Sequence, residues 1–265
     1  MPSKARVAVR KTYKLFIGGA FPRSESGRTF EVDGNNVALA SRKDARDAVL
    51  AARAAFGKWA GATAYNRGQI LYRAAEMLES RRGEFPAEEV DDAVDRLVWY
   101  AGWSDKIAQV YGSANPVAGP YFNISSPEPT GVVAIIAPSS FLGFVSVLAP
   151  AIVTGNTCVV VTPAAVDAIT FAEVLATSDL PGGVVNILTG SVAEVAPWLA
   201  SHDDVNGLDL TGVDNAELAL TLEQSAAGTL KRIIRRSSPK WTDDPGIGRM
   251  TAFLETKTVW HPKGV

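Results

Sequence analysis

The chain has 265 residues, 47% of them hydrophobic and 20% charged, enough to bury one large core and unlike the composition of a disordered or fibrous protein. A formal net charge of −2 gives no electrostatic footprint for nucleic acid, and one cysteine with two distant histidines leaves neither a disulfide framework nor a zinc cluster. The basic N-terminal stretch lacks the apolar core of a signal peptide, and no apolar run reaches spanning length without Pro or Gly, so a cytoplasmic protein with no membrane partner is expected.

Tyr13 to Ile17 reads as a short strand that ends at the Gly18-Gly19 turn. Ser41 followed by Asp44 has the form of a capping box, and Ala45, Ala48, Val49, Ala52, Phe56 and Trp59 behind it keep the spacing of an amphipathic helix. A second helix carries Ile70, Leu71, Ala74, Ala75 and Leu78, and Pro86 separates it from a third, predicted from about Glu88 to Gln109. Trp99 and Trp103 lie one turn apart in that third helix, a spacing that signals packing more often than a ligand box. From Val110 to Thr130 the pattern changes to extended segments around a Gly119-Pro120 turn, a hairpin that needs a third strand or a partner surface to hold in water.

The most regular stretch runs from Glu128 to Pro163. Val132 to Ile136 has the continuous β-branched character of a strand buried on both faces, and Pro138-Ser139-Ser140 turns it into a helix carrying Phe141, Phe144, Val145, Leu148 and Ile152. Gly155-Asn156 ends that helix, and Thr157 to Thr162 supplies the next strand, a crossover that sets the two strands parallel. There follow a helix from about Ala164 to Thr177, a strand at Val184 to Leu188, a helix with Val195, Trp198 and Leu199, and a strand at Val205 to Leu210. A last helix through Leu218, Leu220 and Leu222 leads to a strand at Leu230 to Ile234. Five strands alternating with four helices predict an α/β fold, a doubly wound parallel five-stranded sheet. Beyond the turn-rich KWTDDPGIG, Phe253 to Trp260 alternates as a strand, with Leu254, Thr256, Thr258 and Trp260 sharing one face.

GVVAIIAP, LAPAIVTGNTCVVVTP and DLPGGVVNILTG resemble, in order and spacing, the nucleotide-binding half of the aldehyde dehydrogenases. YKLFIGGAFPRSESGRTFEV, WYAGWSDKI and FLETKTVW resemble that family's N-terminal segment, the helix leading out of its cofactor domain and its C-terminal strand. The resemblance implies a Rossmann-like nucleotide-binding domain of this type over 13–109 and 131–236, with an N-terminal helical segment. It also implies a small protruding antiparallel oligomerisation sheet from 110–130 and 250–262, and a linker, 237–249, standing where the family carries its catalytic domain.

The family's chemistry needs a thiolate, oxyanion donors, a base and held NAD. The one thiol, Cys158, lies in a predicted central strand where cysteine is buried and inert, so no catalytic residue is assigned. The resemblance places Ser140 in a shortened version of the turn that carries the oxyanion donor, and Thr162 at the position of a ribose-contacting lysine. It places Gly212 at the first glycine of a Gly-Ser-x-x-x-Gly turn whose last glycine is Glu217 here. Arg236 falls at the position of the base, and a guanidinium does not abstract a proton. Ser140, Thr162 and Gly212 are thus vestigial cofactor positions; NAD binding is expected to be weak and no cofactor to be firmly held. The oligomerisation residues Tyr121, Phe122, Ile124, Leu254, Thr256, Thr258, Val259 and Trp260 are kept. The resemblance therefore implies a catalytically incomplete subunit, structural or regulatory, partnered by a complete aldehyde dehydrogenase chain or by itself. A subunit completed in trans and a stand-alone nucleotide-binding module are the alternatives.

Overall fold

A computed structural model describes residue 7 and residues 9–264. Near the N-terminus, β1 (Thr12–Tyr13), β2 (Thr29–Val32) and β3 (Asn35–Ala38) form a sheet in the order β1-β3-β2. The β2–β3 hairpin turns at Asp33 and Gly34, with φ of 48° and 76°, the pair of positive values that a tight two-residue loop requires. The strand expected over Tyr13 to Ile17 is interrupted: only Thr12 and Tyr13 pair with β3, while Phe16 bridges Ile187.

α1 (Arg42–Ala60) opens on the capping box, with Ser41 Oγ accepting from the Asp44 N–H and the Asp44 carboxylate accepting from the Ser41 N–H, a cap that stabilises by about 1 kcal/mol. α2 (Ala64–Ser80) follows. The predicted third helix is two helices, α3 (Val90–Trp103) and α4 (Ile107–Tyr111). The chain between them tightens into i→i−3 bonds, Ser104 N–H to Ala101 O and Lys106 N–H to Trp103 O. The apolar spacing runs across this break because Ile107 stays on the buried side, 6% exposed, so periodicity alone reads it as one helix. Trp99 packs on Trp103 with ring centroids 5.7 Å apart, the packing role the spacing suggests.

After β4 (Ser113–Asn115) and β5 (Tyr121–Pro129) come β6 (Val132–Ile136), α5 (Phe141–Val153), β7 (Thr157–Thr162), α6 (Ala165–Ala176) and β8 (Val185–Thr189). The chain continues through α7 (Val192–Ser201), β9 (Gly207–Asp209), α8 (Ala216–Ala227) and β10 (Arg232–Ile234), then α9 (Gly248–Ala252) and β11 (Leu254–Pro262). The five parallel strands lie in the order β10-β9-β6-β7-β8. Alternate side chains divide between two cores: Val133, Ile135, Cys158, Val160 and Ile187 pack with α2, α3, α5 and α6, while Val132, Ala134, Ile136, Val159 and Leu188 pack with α1, α7 and α8. The sheet is therefore covered on both faces, which is why β6 and β7 read as near-continuous apolar runs. Leu230, at φ 53° and 90% exposed, turns away from the sheet, so the last strand starts at Arg232 and not at Leu230.

Asn156 ties the parallel sheet to the second, antiparallel one. Its Oδ1 accepts from the Gly131 N–H at 3.0 Å and its Nδ2 donates to the Phe253 carbonyl at 3.0 Å, fixing the starts of β6 and β11 side by side. The antiparallel sheet has the order β11-β5-β4. β11 pairs with β5 along its whole length, from Leu254 opposite Pro129 to Pro262 opposite Tyr121, whereas β4 covers only Asn123 to Ser125. Among the described residues no strand pairs with the outer edge of β11, and no helix is long and apolar enough to cross a membrane.

Candidate functional site

Open α/β sheets bind ligands beyond the carboxyl ends of their strands, at the point where strand order reverses. Here that point lies between β6 and β9, and the loops leaving them, 137–140 and 210–215, form its walls. The walls touch. The Gly212 N–H donates to Ile136 O at 2.9 Å, and a Cβ at Gly212 would stand 2.2 Å from the Ala137 carbonyl and 2.5 Å from Pro138 N. Glycine is required at 212 by this loop-on-loop contact, whatever its place in a phosphate turn.

The other expected cofactor positions also carry structural work. Ser140 is the N-cap of α5, its Oγ accepting from the Gly143 N–H at 3.1 Å. The Leu142 N–H of the same turn donates to Glu89 Oε2 at 2.8 Å, so a carboxylate of the chain itself already occupies the positive end of α5 and would repel another anion there. Thr162 is fully buried, and its Oγ1 accepts from the Ala164 N–H at 3.1 Å to shape the turn into α6. Arg236, expected at the position of the family's base, donates from Nε to Val213 O at 2.8 Å. Cys158 is fully buried; burial, with the charge of Asp209 added, pushes its thiol far above the usual cysteine range, so the thiolate needed for nucleophilic attack does not form.

What fills the switch point is the chain's own strap, 240–250. A Cβ at Gly143 would come within 2.8 Å of Trp241 Nε1, which places the Trp241 indole on the first turn of α5. Arg96 of α3, 8% exposed, holds the strap by its backbone: Nη2 donates to Trp241 O at 2.5 Å and to Asp243 O at 3.1 Å, while Nη1 donates to Ser146 Oγ at 3.0 Å. Arg249 clasps the other end, donating from Nη1 to Asp209 Oδ2 and from Nη2 to Thr211 Oγ1, both at 3.0 Å, with its guanidinium 5.2 Å from the Trp241 ring centre. Asp209 is fully buried at the end of β9, and its Oδ1 also accepts from the Thr211 N–H at 2.9 Å. Burial raises the Asp209 pKa above the usual carboxylate value, with Arg249 and Thr211 pulling it part of the way back. Sequence reasoning missed Glu89, Arg96, Asp209, Trp241 and Arg249; the available signal was Asp209, an acid set between Leu208 and Leu210 in an expected strand, which had to find a partner.

The second candidate surface is the antiparallel sheet, where the structure places all eight expected oligomerisation residues, on two faces. One face carries Leu254, Thr256, Thr258, Trp260 and Tyr121 beside a polar ladder in which Asn115 Nδ2 donates to Ser125 Oγ at 2.7 Å and Ser125 Oγ meets Thr258 Oγ1 at 2.8 Å. Tyr121 packs edge-on against Trp260 with centroids 5.8 Å apart. The other face carries Val259 with Ile124 and Phe122, the last two 48% and 57% exposed. Bond parity defines the edge. The Thr130 N–H donates to Phe253 O and the Lys263 N–H to Pro120 O, so the odd-numbered residues of β11 bond to β5. Leu254, Thr256, Thr258 and Trp260 therefore turn their N–H and C=O groups outward. Pro129 and Pro127 stand opposite Leu254 and Thr256, where β5 needs no N–H for β11.

A parallel sheet in the order β10-β9-β6-β7-β8, helices on both faces and a second, antiparallel sheet define a Rossmann-like α/β domain with a small antiparallel appendage. The aldehyde dehydrogenase family profile matches residues 32–236, and the chain belongs to that family. It is 35% identical over 236 residues to human cytosolic 10-formyltetrahydrofolate dehydrogenase, covering 77% of this chain and 26% of that protein. It is 31% identical over 251 residues to the putative aldehyde dehydrogenase DhaS of Bacillus subtilis, covering 84% of this chain and 50% of that protein. The crystal structure of HpcC from Thermus thermophilus is similar with a TM-score of 0.77 at 28% identity, over 84% of this chain and 47% of that one. The chain thus spans half or less of the length of these relatives.

Proposed function

We propose that this chain is a catalytically incomplete aldehyde dehydrogenase subunit, structural or regulatory in role, that docks on a complete NAD-dependent aldehyde dehydrogenase in the cytoplasm. One observation carries the reading: the positions that would serve chemistry are committed to holding the fold together, while the outer edge of β11 is unpaired among the described residues. A buried thiol, a guanidinium in place of a base and a carboxylate at the N-terminus of α5 each work against aldehyde oxidation. The strap across the switch point works against dinucleotide binding. Strand addition to β11 supplies backbone hydrogen bonds, and the alternating side chains supply register.

Calorimetric titration of the purified chain with NAD, followed by an assay with short aliphatic and aromatic aldehydes, tests the catalytic half of this reading. The expected result is no saturable heat at millimolar NAD and no NADH formed. Micromolar NAD affinity, or aldehyde-dependent NADH, would contradict it.

A further inference from the structure

The open edge of β11 is complementary to itself. We propose that a second copy of this chain pairs with it, edge to edge and antiparallel, about a two-fold axis through Thr256. The proposal takes from the preceding reading only that β11 is a docking edge, and adds what closes that edge when no homologue is bound.

Because the outward N–H and C=O groups belong to even-numbered residues, an antiparallel copy must set even residues against even ones. Axes through Thr256 to Trp260 keep the middle of the strand paired, and those through Val259 and Trp260 set Thr256 or Thr258 against Pro262, which has no N–H to give. An axis through Lys257 sets that lysine against its own copy, a like-charge pair. An axis through Thr258 sets Lys257 against Val259, and Leu254 against Pro262, which has no N–H to give. An axis through Thr256 bonds Leu254 to Thr258 and sets Glu255 against Lys257 on both sides of the two-fold, in the close-set pairs where side chains interact most.

The charges already present favour this register. Glu255 lies directly across from Glu128 on β5, and this carboxylate pair is met by Arg232, whose Nη2 is 2.7 Å from Glu255 Oε2, and by Lys257, 3.0 Å from Glu128. Glu255 and Lys257 keep side-chain exposures of 52% and 58%, open to a further partner, so the Lys257 of a second copy would bring another cation to two opposed carboxylates. The assembly stops at two copies. On the far side of the sheet the three-residue β4 pairs with β5 only as far as Ser125, and beyond it the edge of β5 carries Pro127 and Pro129, which cannot donate to another strand. Self-pairing and docking on a homologue use the same edge and exclude one another.

Sedimentation equilibrium on the purified chain, with native mass spectrometry, reads this directly. The parent chain is expected to be a dimer. Glu255→Lys sets lysine against lysine and Lys257→Glu sets glutamate against glutamate, so each weakens the dimer by about tenfold. Mixing the two variants re-forms opposite pairs, and the mixed dimer is expected to recover the parent affinity. A monomeric parent, variants that dimerise as tightly as the parent, or a mixture without mixed dimers would each overturn the proposal. A chain that stays monomeric yet is recovered on a complete aldehyde dehydrogenase would overturn self-pairing and leave the docking reading standing.

Discussion

Replacing Arg249 by methionine is expected to remove about 3–5 kcal/mol of folding stability at neutral pH, the effect of leaving one member of a buried ion pair without its partner. Asp209 is fully buried, and Arg249 is the only cation in salt-bridge contact with it among the described residues. The loss depends on pH in a definite direction. Burial already raises the folded-state pKa of Asp209, so folding favours its protonated form, and removing Arg249 raises that pKa further. The deficit of Arg249→Met is therefore full at neutral pH. It narrows as the pH falls through the raised folded value toward the ordinary ~3.9, where Asp209 is protonated in the folded and unfolded chains alike. Urea unfolding of both proteins at neutral and mildly acidic pH checks this, and adding Asp209→Asn to Arg249→Met should return most of the lost stability. Equal stability of parent and Arg249→Met at neutral pH would show that the strap is not clasped to β9.

Thr256→Pro is expected to leave the fold intact and abolish docking. The residues of β11 that bond to β5 are odd-numbered, so a proline at 256 removes an N–H only from the outer edge. Glu255 before it is extended, the conformation a residue preceding proline prefers. The urea midpoint should move by less than about 1 kcal/mol, while recovery of a complete aldehyde dehydrogenase on the tagged chain should fall at least about tenfold, the loss of one or two well-made hydrogen bonds and the register they set. Lys257→Pro is the control, because it removes an inward N–H and should loosen the sheet itself. Unchanged recovery with Thr256→Pro would mean that docking does not run along β11.

The centre of the sheet was legible in the sequence because β6 and β7 are covered on both faces and so read as near-continuous apolar runs, as TCVVVT does over β7. The capping box at Ser41 and the helix stop at Gly155, with φ 101°, were legible for a local reason: both depend on residues within one turn. The break between α3 and α4 was not, since Ile107 keeps its apolar side through it. Nor was the β2–β3 hairpin, although an Asp-Gly turn joins its strands, because TFEV alternates over four residues only and NNVA does not alternate. At the site, the sequence identifies which residues stand at Ser140, Thr162 and Gly212 but not their hydrogen-bond partners. Glu89 reaches α5 from the start of α3, and Arg96, Asp209, Trp241 and Arg249 meet only once the helical layer and the sheet have packed. The antiparallel sheet lay between these extremes. Its strands alternate visibly, yet which backbone groups face outward follows only from the register of β11 on β5.

Native mass spectrometry of this chain co-expressed with a complete aldehyde dehydrogenase from the same cell tests the docking claim most directly. A defined species containing both chains in fixed ratio is the expected result, and it should disappear with Thr256→Pro. Spectra holding only the homologue's own oligomer and this chain apart from it would contradict the account.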